Sequence, residues 1–323
     1  MIAVLVEVED GRAALVSQEA LTFARGLAGD GDSVEAVVVA APGTDLSAVV
    51  GDCAAYGVAR VHVADSAELS SYAAAAWAGV LDTAAGDASV ILAGGSNRGS
   101  EILAHLATRR DLPMAANAVS ARVDGSTTTL QRQVVGGAVI ETMTLAASPA
   151  ILTLAGHAVE PVPADAPGAA EVVTTSPAIA ADDLRARVVS VTPRAGGDGA
   201  SLTRAKIVVG AGRGAGGPDG FGGVDALAAK LGGVVGVSRV VTSLGWRPHH
   251  EQVGQTGNRI NPDLYVPCGI SGAIQHWAGC SSSKTIIAIN TDAEAPMVTK
   301  AAYAIVGDMH EVIPAILAEL DKR

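Results

Sequence analysis

Residues 252–279 read QVGQTGNRINPDLYVPCGISGAIQHWAG. The stretch runs as loop, strand, loop and helix: PDLYV at 262–266 is a short apolar run, and the GISG turn at 269–272 leads it into a helical segment over 272–279. A strand that passes through a glycine turn into a helix is one step of a parallel α/β unit. The stretch holds small hydroxyls, bare backbone amides and a Gln-His pair. It contains no nucleophile beside its base, no paired carboxylates and no metal-ligand spacing. Such groups suit holding and electronically tuning a bound molecule better than attacking a substrate.

Outward from this stretch the same rhythm continues. Upstream, a strand at 206–209 enters the glycine-rich VVGAGRGAGG at 208–217, and a helix follows at 224–231. Bare amides there would let a pyrophosphate approach, but the spacing is not GxGxxG, so a phosphate loop and a plain connection both stay open. In the second turn Ser271 stands where an N-cap belongs, and the amides of Ala273 and Ile274 open the helix as an anion site; the plain alternative is that Ser271 only caps. Two phosphate-type turns in one α/β unit point to a dinucleotide. Downstream come strands at 285–290 and 305–306 and a final helix at 311–320. There Ile313, Ile316, Leu317 and Leu320 form a stripe that needs a packing surface, in this chain or in another.

The first half alternates apolar runs at 2–8, 34–40, 58–64 and 90–93 with amphipathic stretches at 18–27, 46–56, 71–83 and 101–109. This predicts a parallel sheet with helices on its faces. After Pro113 the runs at 114–123, 127–135, 138–145 and 150–154 follow one another through Asp-Gly and Gly-Gly turns, which predicts antiparallel strands added to one edge. Residues 161–177 are rich in Ala, Pro and Glu, and PRAGGDGA at 193–200 is a glycine-rich break. The expected architecture is therefore α/β in two domains: residues 1–190 as a parallel sheet with added antiparallel strands, 191–203 as a linker, and 204–323 as a doubly wound domain.

Composition narrows the function. A formal net charge of −11 without a Lys/Arg cluster argues against a nucleic-acid partner. No apolar run approaches the roughly 20 residues of a membrane helix, so the chain is expected not to be membrane-embedded. MIAVLVEVEDG reads directly as a strand rather than a leader, and Cys53, Cys268 and Cys280 show neither CxxC nor zinc spacing. Reduced thiols in a bacterial cytoplasm are the expectation.

VGQTG at 253–257, PDLYV at 262–266, GISGAIQH at 269–276, IIAIN with DAEAP at 286–296 and IVGD at 305–308 occur in an order and spacing that resemble the C-terminal domain of electron-transfer flavoprotein alpha subunits. GRG at 212–214 and GVSR at 236–239 fit the same pattern. The first half resembles the family loosely, chiefly in ILAGGSNRGSEILAHLA at 91–107. Ser243, Asn258, Thr291, Val298 and Ala302 depart from residues common in the family.

The resemblance implies an FAD-binding domain over 204–323 and an N-terminal domain, 1–190, that docks a beta subunit, on which the family's AMP site is expected. It implies that the chain has no substrate of its own. A donor dehydrogenase would reduce the FAD and an acceptor such as a quinone oxidoreductase would oxidise it, in single-electron steps. By position, Arg239 resembles the arginine held over the flavin ring, Thr256 the hydroxyl near N5 and His276 the imidazole beside O2. Val253, Gly254 and Gln255 match the loop flanking the ring. Arg213, Ser238, the turn Ser271, Gly272, Ala273, Ile274 and Gln275, and Asn290, Asp308 and Met309 match positions that hold the ribityl, pyrophosphate and adenosine parts. Two other readings are a flavin-dependent oxidoreductase with its own substrate, NADH-linked, and a nucleotide-sensing module in the N-terminal half. Apart from His276, no acid or base stands beside the motifs to serve the first.

Overall fold

Strands whose apolar runs are unbroken lie at the centre of the first sheet, as parallel strands covered on both faces must. The computed structural model describes residues 1–29, 31–137, 139–191 and 199–322. The chain divides into two units, Met1–Val134 with Val139–Thr192 and Val135–Ala138 with Pro193–Arg323. Most of the predicted linker, residues 192–198, lies outside the described residues.

In the first unit β1 (Ile2–Leu5) is followed by a short antiparallel hairpin, β2 (Val8–Glu9) and β3 (Arg12–Ala13). Then come α1 (Leu15–Leu27), β4 (Val34–Ala40), α2 (Ser47–Ala55), β5 (Arg60–Asp65), α3 (Ala74–Ala85), β6 (Val90–Gly94) and α4 (Asn97–Arg110). The unit ends with β7 (Met114–Asp124), β8 (Thr127–Val134), β9 (Val139–Ala146), β10 (Ala150–Leu154) and β11 (Glu171–Thr175). These form one sheet in the order β11-β5-β4-β1-β6-β10-β7-β8-β9. Alternate residues feed the two faces. Val4, Leu21 and Leu92 pack in one core, and Leu5, Leu81, Ile91 and Ile102 in the other. Each such buried side chain contributes about 1.5–3 kcal/mol.

Two sequence expectations need correction here. β8 and β9 do form an antiparallel ribbon on β7, but β10 is not part of it: it lies between β6 and β7 and pairs parallel with both. All five residues of AILTL are buried, and such a strand belongs in the middle of a sheet rather than at its edge. The second correction is β11, which adds a parallel strand to β5 at the far edge, within the Ala-, Pro- and Glu-rich segment 161–177 where no strand is predicted.

The second unit holds α5 (Gly199–Arg204), β12 (Ile207–Ala211), α6 (Gly222–Leu231), β13 (Val234–Val237), α7 (Arg239–Ser243), β14 (Leu264–Cys268), α8 (Ile274–Trp277), β15 (Thr285–Asn290), α9 (Pro296–Lys300), β16 (Tyr303–Val306) and α10 (Met309–Leu320). Its five strands are all parallel, in the order β13-β12-β14-β15-β16. The stripe on α10 finds its packing surface in this chain. Ile313 is buried with Val224 and Leu227 of α6, and Ile316, Leu317 and Leu320 pack against the same core. Leu202 of α5, Tyr265 of β14 and Met297 of α9 fill the other face. The sheet is doubly wound, and the strand order reverses between β12 and β14. In open α/β sheets ligands bind outside the carboxyl ends of the strands at such a point.

Candidate functional site

At those carboxyl ends lies a cleft of about 920 Å³. Arg213 and Gly214 enter it after β12, Ser238 and Arg239 after β13, Gly269 to Ala273 with Gln275 and His276 after β14, Asn290 to Asp292 after β15, and Gly307 to Met309 after β16. Every strand of the sheet therefore ends in this wall.

The glycines shape the cleft by packing two turns together. A Cβ on Gly214 would lie 2.6 Å from Gly269 Cα, and one on Gly212 would lie 2.3 Å from the Gly269 carbonyl oxygen. The amides of Gly212 and Gly214 donate to the carbonyls of Cys268 and Gly269, and those of Ala215 and Gly216 to Gly212 and Arg213. Of the two readings left open for 208–217, this favours a connection. Those four amides are spent within the protein, and Arg213 is the side chain the loop presents to the cleft.

The expected cap at Ser271 is not formed. α8 begins at Ile274 with Ala273 as its N-cap and no side-chain capping bond. Gly272, at φ +77°, turns the chain left-handed after Ser271 and postpones the helix. The carbonyl of Ser271 instead accepts from the amide of Met297 at 3.1 Å.

Two buried polar atoms in the cleft wall make no well-formed hydrogen bond, Ser238 Oγ and His276 Nδ1, although the backbone of Val253 lies near enough to the imidazole to oppose part of the effect of burial. The other ring nitrogen of His276, Nε2, lies 2.8 Å from the hydroxyl of fully buried Tyr265. Burial lowers the His276 pKa from 6.5 to about 4, so its imidazole is neutral near pH 7. Burial pushes Cys268 at the end of β14 up to about 12, leaving it a thiol. Among the described residues, Arg213 and Arg239 make no side-chain ion pair. A hydroxyl and an imidazole nitrogen without well-formed hydrogen bonds, two unpaired guanidiniums and a glycine-packed floor fit an elongated, anionic, heteroaromatic ligand such as FAD.

Not all expected site residues line this cleft. Arg213, Ser238, Arg239, Ser271, Gly272, Ala273, Gln275, His276, Asn290, Asp308 and Met309 do; Val253, Gly254, Gln255, Thr256 and Ile274 do not. Val253 is a core residue with 0% exposure. The loop that follows is braced against α8: the amide of Gln255 donates to the Gln275 carbonyl at 2.7 Å, and Gly254, at φ +141°, leaves 2.9 Å between an added Cβ and that oxygen. Gln255 and Thr256 are exposed beside the turn that carries His276. Asn290 and Asp308 have local work as well. Asn290 Nδ2 donates to the Ile270 carbonyl, and Asp308 Oδ1 accepts from the amide of His310 and so caps α10.

Ile270, Asp292 and Ala295 line the cleft without having been singled out, and Ser243 and Thr291, two departures from the family's common residues, do too. Asp292 follows directly on β15, so the rule that ligands gather beyond strand carboxyl ends was the signal available for it. Among the described residues no group of His, Cys, Asp and Glu could hold a metal ion, and no helix is long and apolar enough to cross a membrane.

Comparison with known proteins agrees with this architecture. Residues 2–180 match the electron transfer flavoprotein domain, and residues 201–281 match the electron transfer flavoprotein FAD-binding domain. The chain is 39% identical to electron transfer flavoprotein subunit alpha of Mycobacterium tuberculosis, across 100% of this chain and 98% of that one. It is 35% identical to the subunit of the same name from Syntrophomonas wolfei, across 99% and 98%. With the Bacillus subtilis subunit it shares 32% identity, across 98% and 96%. The chain belongs to the electron transfer flavoprotein alpha-subunit family, and its cofactor is FAD.

Proposed function

We propose that this chain is the FAD-carrying subunit of a heterodimeric, cytoplasmic electron carrier without a substrate of its own. In this reading residues 204–323 hold FAD and residues 1–190 dock the beta subunit. A dehydrogenase is the donor, and a quinone oxidoreductase or similar protein the acceptor. FAD supplies the reversible one-electron chemistry when bound. The protein's residues hold it, orient it and set the polarity around it. Arg239 lies along the flavin ring, Thr256 faces N5, and His276 presents a neutral imidazole to the O2 edge. Val253, Gly254 and Gln255 flank the ring, while Arg213, Ser238, the 271–275 turn, Asn290, Asp308 and Met309 serve the ribityl, pyrophosphate and adenosine parts.

The observation that carries the reading is the character of the cleft. Its free groups are two guanidiniums, a hydroxyl and an imidazole held neutral by burial. Those groups bind and polarise, and among the lining residues no acid or base is paired with a nucleophile. The test is co-purification with the product of a neighbouring beta-subunit gene, followed by visible spectroscopy and an NADH assay. A yellow one-to-one complex that does not turn over NADH is expected. NADH turnover without a protein donor would replace the carrier reading with an oxidoreductase.

A further inference from the structure

The carboxamide of Gln252 lies between two threonines. Its Oε1 accepts from Thr242 Oγ1 at 2.7 Å, and its Nε2 donates to Thr256 Oγ1 at 3.0 Å. Gln252 is 3% exposed, and its backbone is held from both sides: its amide donates to the His249 carbonyl, and its carbonyl accepts from the amide and Nδ2 of Asn258. The Thr242 hydroxyl has a second acceptor, the Arg239 carbonyl, at 3.0 Å. The shorter contact goes to Gln252 and places the carboxamide oxygen toward α7 and its nitrogen toward the 253–257 loop.

We infer that Gln252 is a positioning residue that commits the Thr256 hydroxyl to donating its proton outward, so that this loop selects an acceptor atom on the bound ligand. A hydroxyl has one proton and two lone pairs. With Gln252 Nε2 engaging a lone pair, the proton is left for the open side of the loop, where Thr256 is exposed. The consequence rests on the proposed reading, in which Thr256 faces flavin N5. An unprotonated N5 placed there would accept the Thr256 proton, whereas a protonated N5 would present an N–H and would need Thr256 as an acceptor. A committed donor opposite N5 therefore lowers its proton affinity, and an acceptor there raises it.

The experiment uses the full chain in complex with its beta subunit, loaded with FAD and photoreduced to the one-electron level. The N5 protonation midpoint is read from the absorption spectrum as pH is varied. Gln252→Met keeps the volume and removes the donor; Thr242→Val removes the group that orients the carboxamide; Gln252→Glu accepts from both threonines. In the first two the midpoint is expected to rise by about one pH unit, since one net hydrogen bond is worth roughly a tenfold change in equilibrium constant. In Gln252→Glu it is expected to rise further. Unchanged midpoints in Gln252→Met and Thr242→Val, with FAD bound, would overturn the inference and leave the FAD reading standing. A rise in Gln252→Glu alone would also overturn it, because added charge then explains the effect. Wild-type complex that takes up no FAD would instead remove the reading beneath it.

Discussion

Arg239 is the first residue of α7, exposed at the cleft and without an ion pair among the described residues. Its removal should leave the fold intact. A reduced flavin gathers negative charge at N1 and O2, and a unit charge at about 4 Å and an effective dielectric near 20 interacts by roughly 4 kcal/mol. At about 59 mV per tenfold for one electron, Arg239→Ala is expected to lower the flavin potential by up to about 170 mV. Water entering the vacated space reduces that figure. Arg239→Lys should recover part of the shift, because the charge returns without the planar fork. A wild-type potential in Arg239→Ala, measured by reductive titration, would refute the placement. His276 gives a second residue-scale expectation, one of pH. The folded chain keeps its imidazole neutral down to about pH 4, while the unfolded chain takes up a proton below 6.5. The unfolded state then binds more protons. Stability that is complete above pH 6.5 is lost as pH falls toward 4, by up to roughly 1.4 kcal/mol per pH unit. Urea titrations followed through Trp246 and Trp277 should show this slope, and His276→Gln should flatten it. An equal slope in both would assign the pH dependence elsewhere.

At the scale of elements, the β12 and β14 turns act as one part because glycine faces glycine. Gly214→Ala would bring a Cβ to 2.6 Å from Gly269 Cα, where only backbone can yield. It is expected to cost about 1–3 kcal/mol and to weaken FAD binding. Gly217→Ala in the same loop meets nothing within 4 Å at an extended φ of 173°, so it serves as the control and should be near neutral in thermal unfolding and flavin content. Equal effects from the two substitutions would contradict the packing account. The glycines of 208–217 were visible in the sequence, but their partner was not, because nothing in their spacing points to Gly269, which meets them only across the β12–β14 pair. The alternation that predicts a parallel sheet was legible, since apolar runs and amphipathic stretches differ in period. β10 was misplaced for a related reason: short turns on either side spoke for hairpins, while its unbroken burial, the better signal, is a property of a central strand. Ser271 was misread because cap rules assume that the helix starts at once, and Gly272 delays it. Motif residues on strand-end loops were readable by position. The Thr242, Gln252, Thr256 chain and the Tyr265 to His276 contact were not, since each joins elements through side chains whose meeting only the fold determines.

At the scale of the whole molecule, the question is whether one chain suffices to keep its flavin. Each unit has a complete core of its own, and α10 covers α6 rather than waiting for another chain. What remains exposed is different in kind. β9 shows Val139 and Ile140 on the edge of the first sheet, and β16 shows Tyr303, Ile305 and Val306 on the edge of the second. Exposed apolar strand edges are sites for a partner or a liability for aggregation. Arg239 in the cleft wall and Gln255 and Thr256 on the loop outside it are solvent-exposed, so a flavin ring beside them would be held from one side and wetted on the other. A partner that covers this side strengthens each polar contact by excluding water. The chain alone is therefore expected to bind FAD weakly, and with a beta subunit to form a one-to-one complex that keeps its yellow colour through gel filtration. An interface of at least about 1,200 Å² is expected for a complex that survives this dilution. Light scattering on the eluting peak, with the ratio of flavin to protein absorbance, measures both quantities at once. A lone monomer that elutes fully loaded with FAD, and stays monomeric when beta subunit is supplied, would show that this chain is a self-sufficient flavoprotein and that its exposed edges serve something else.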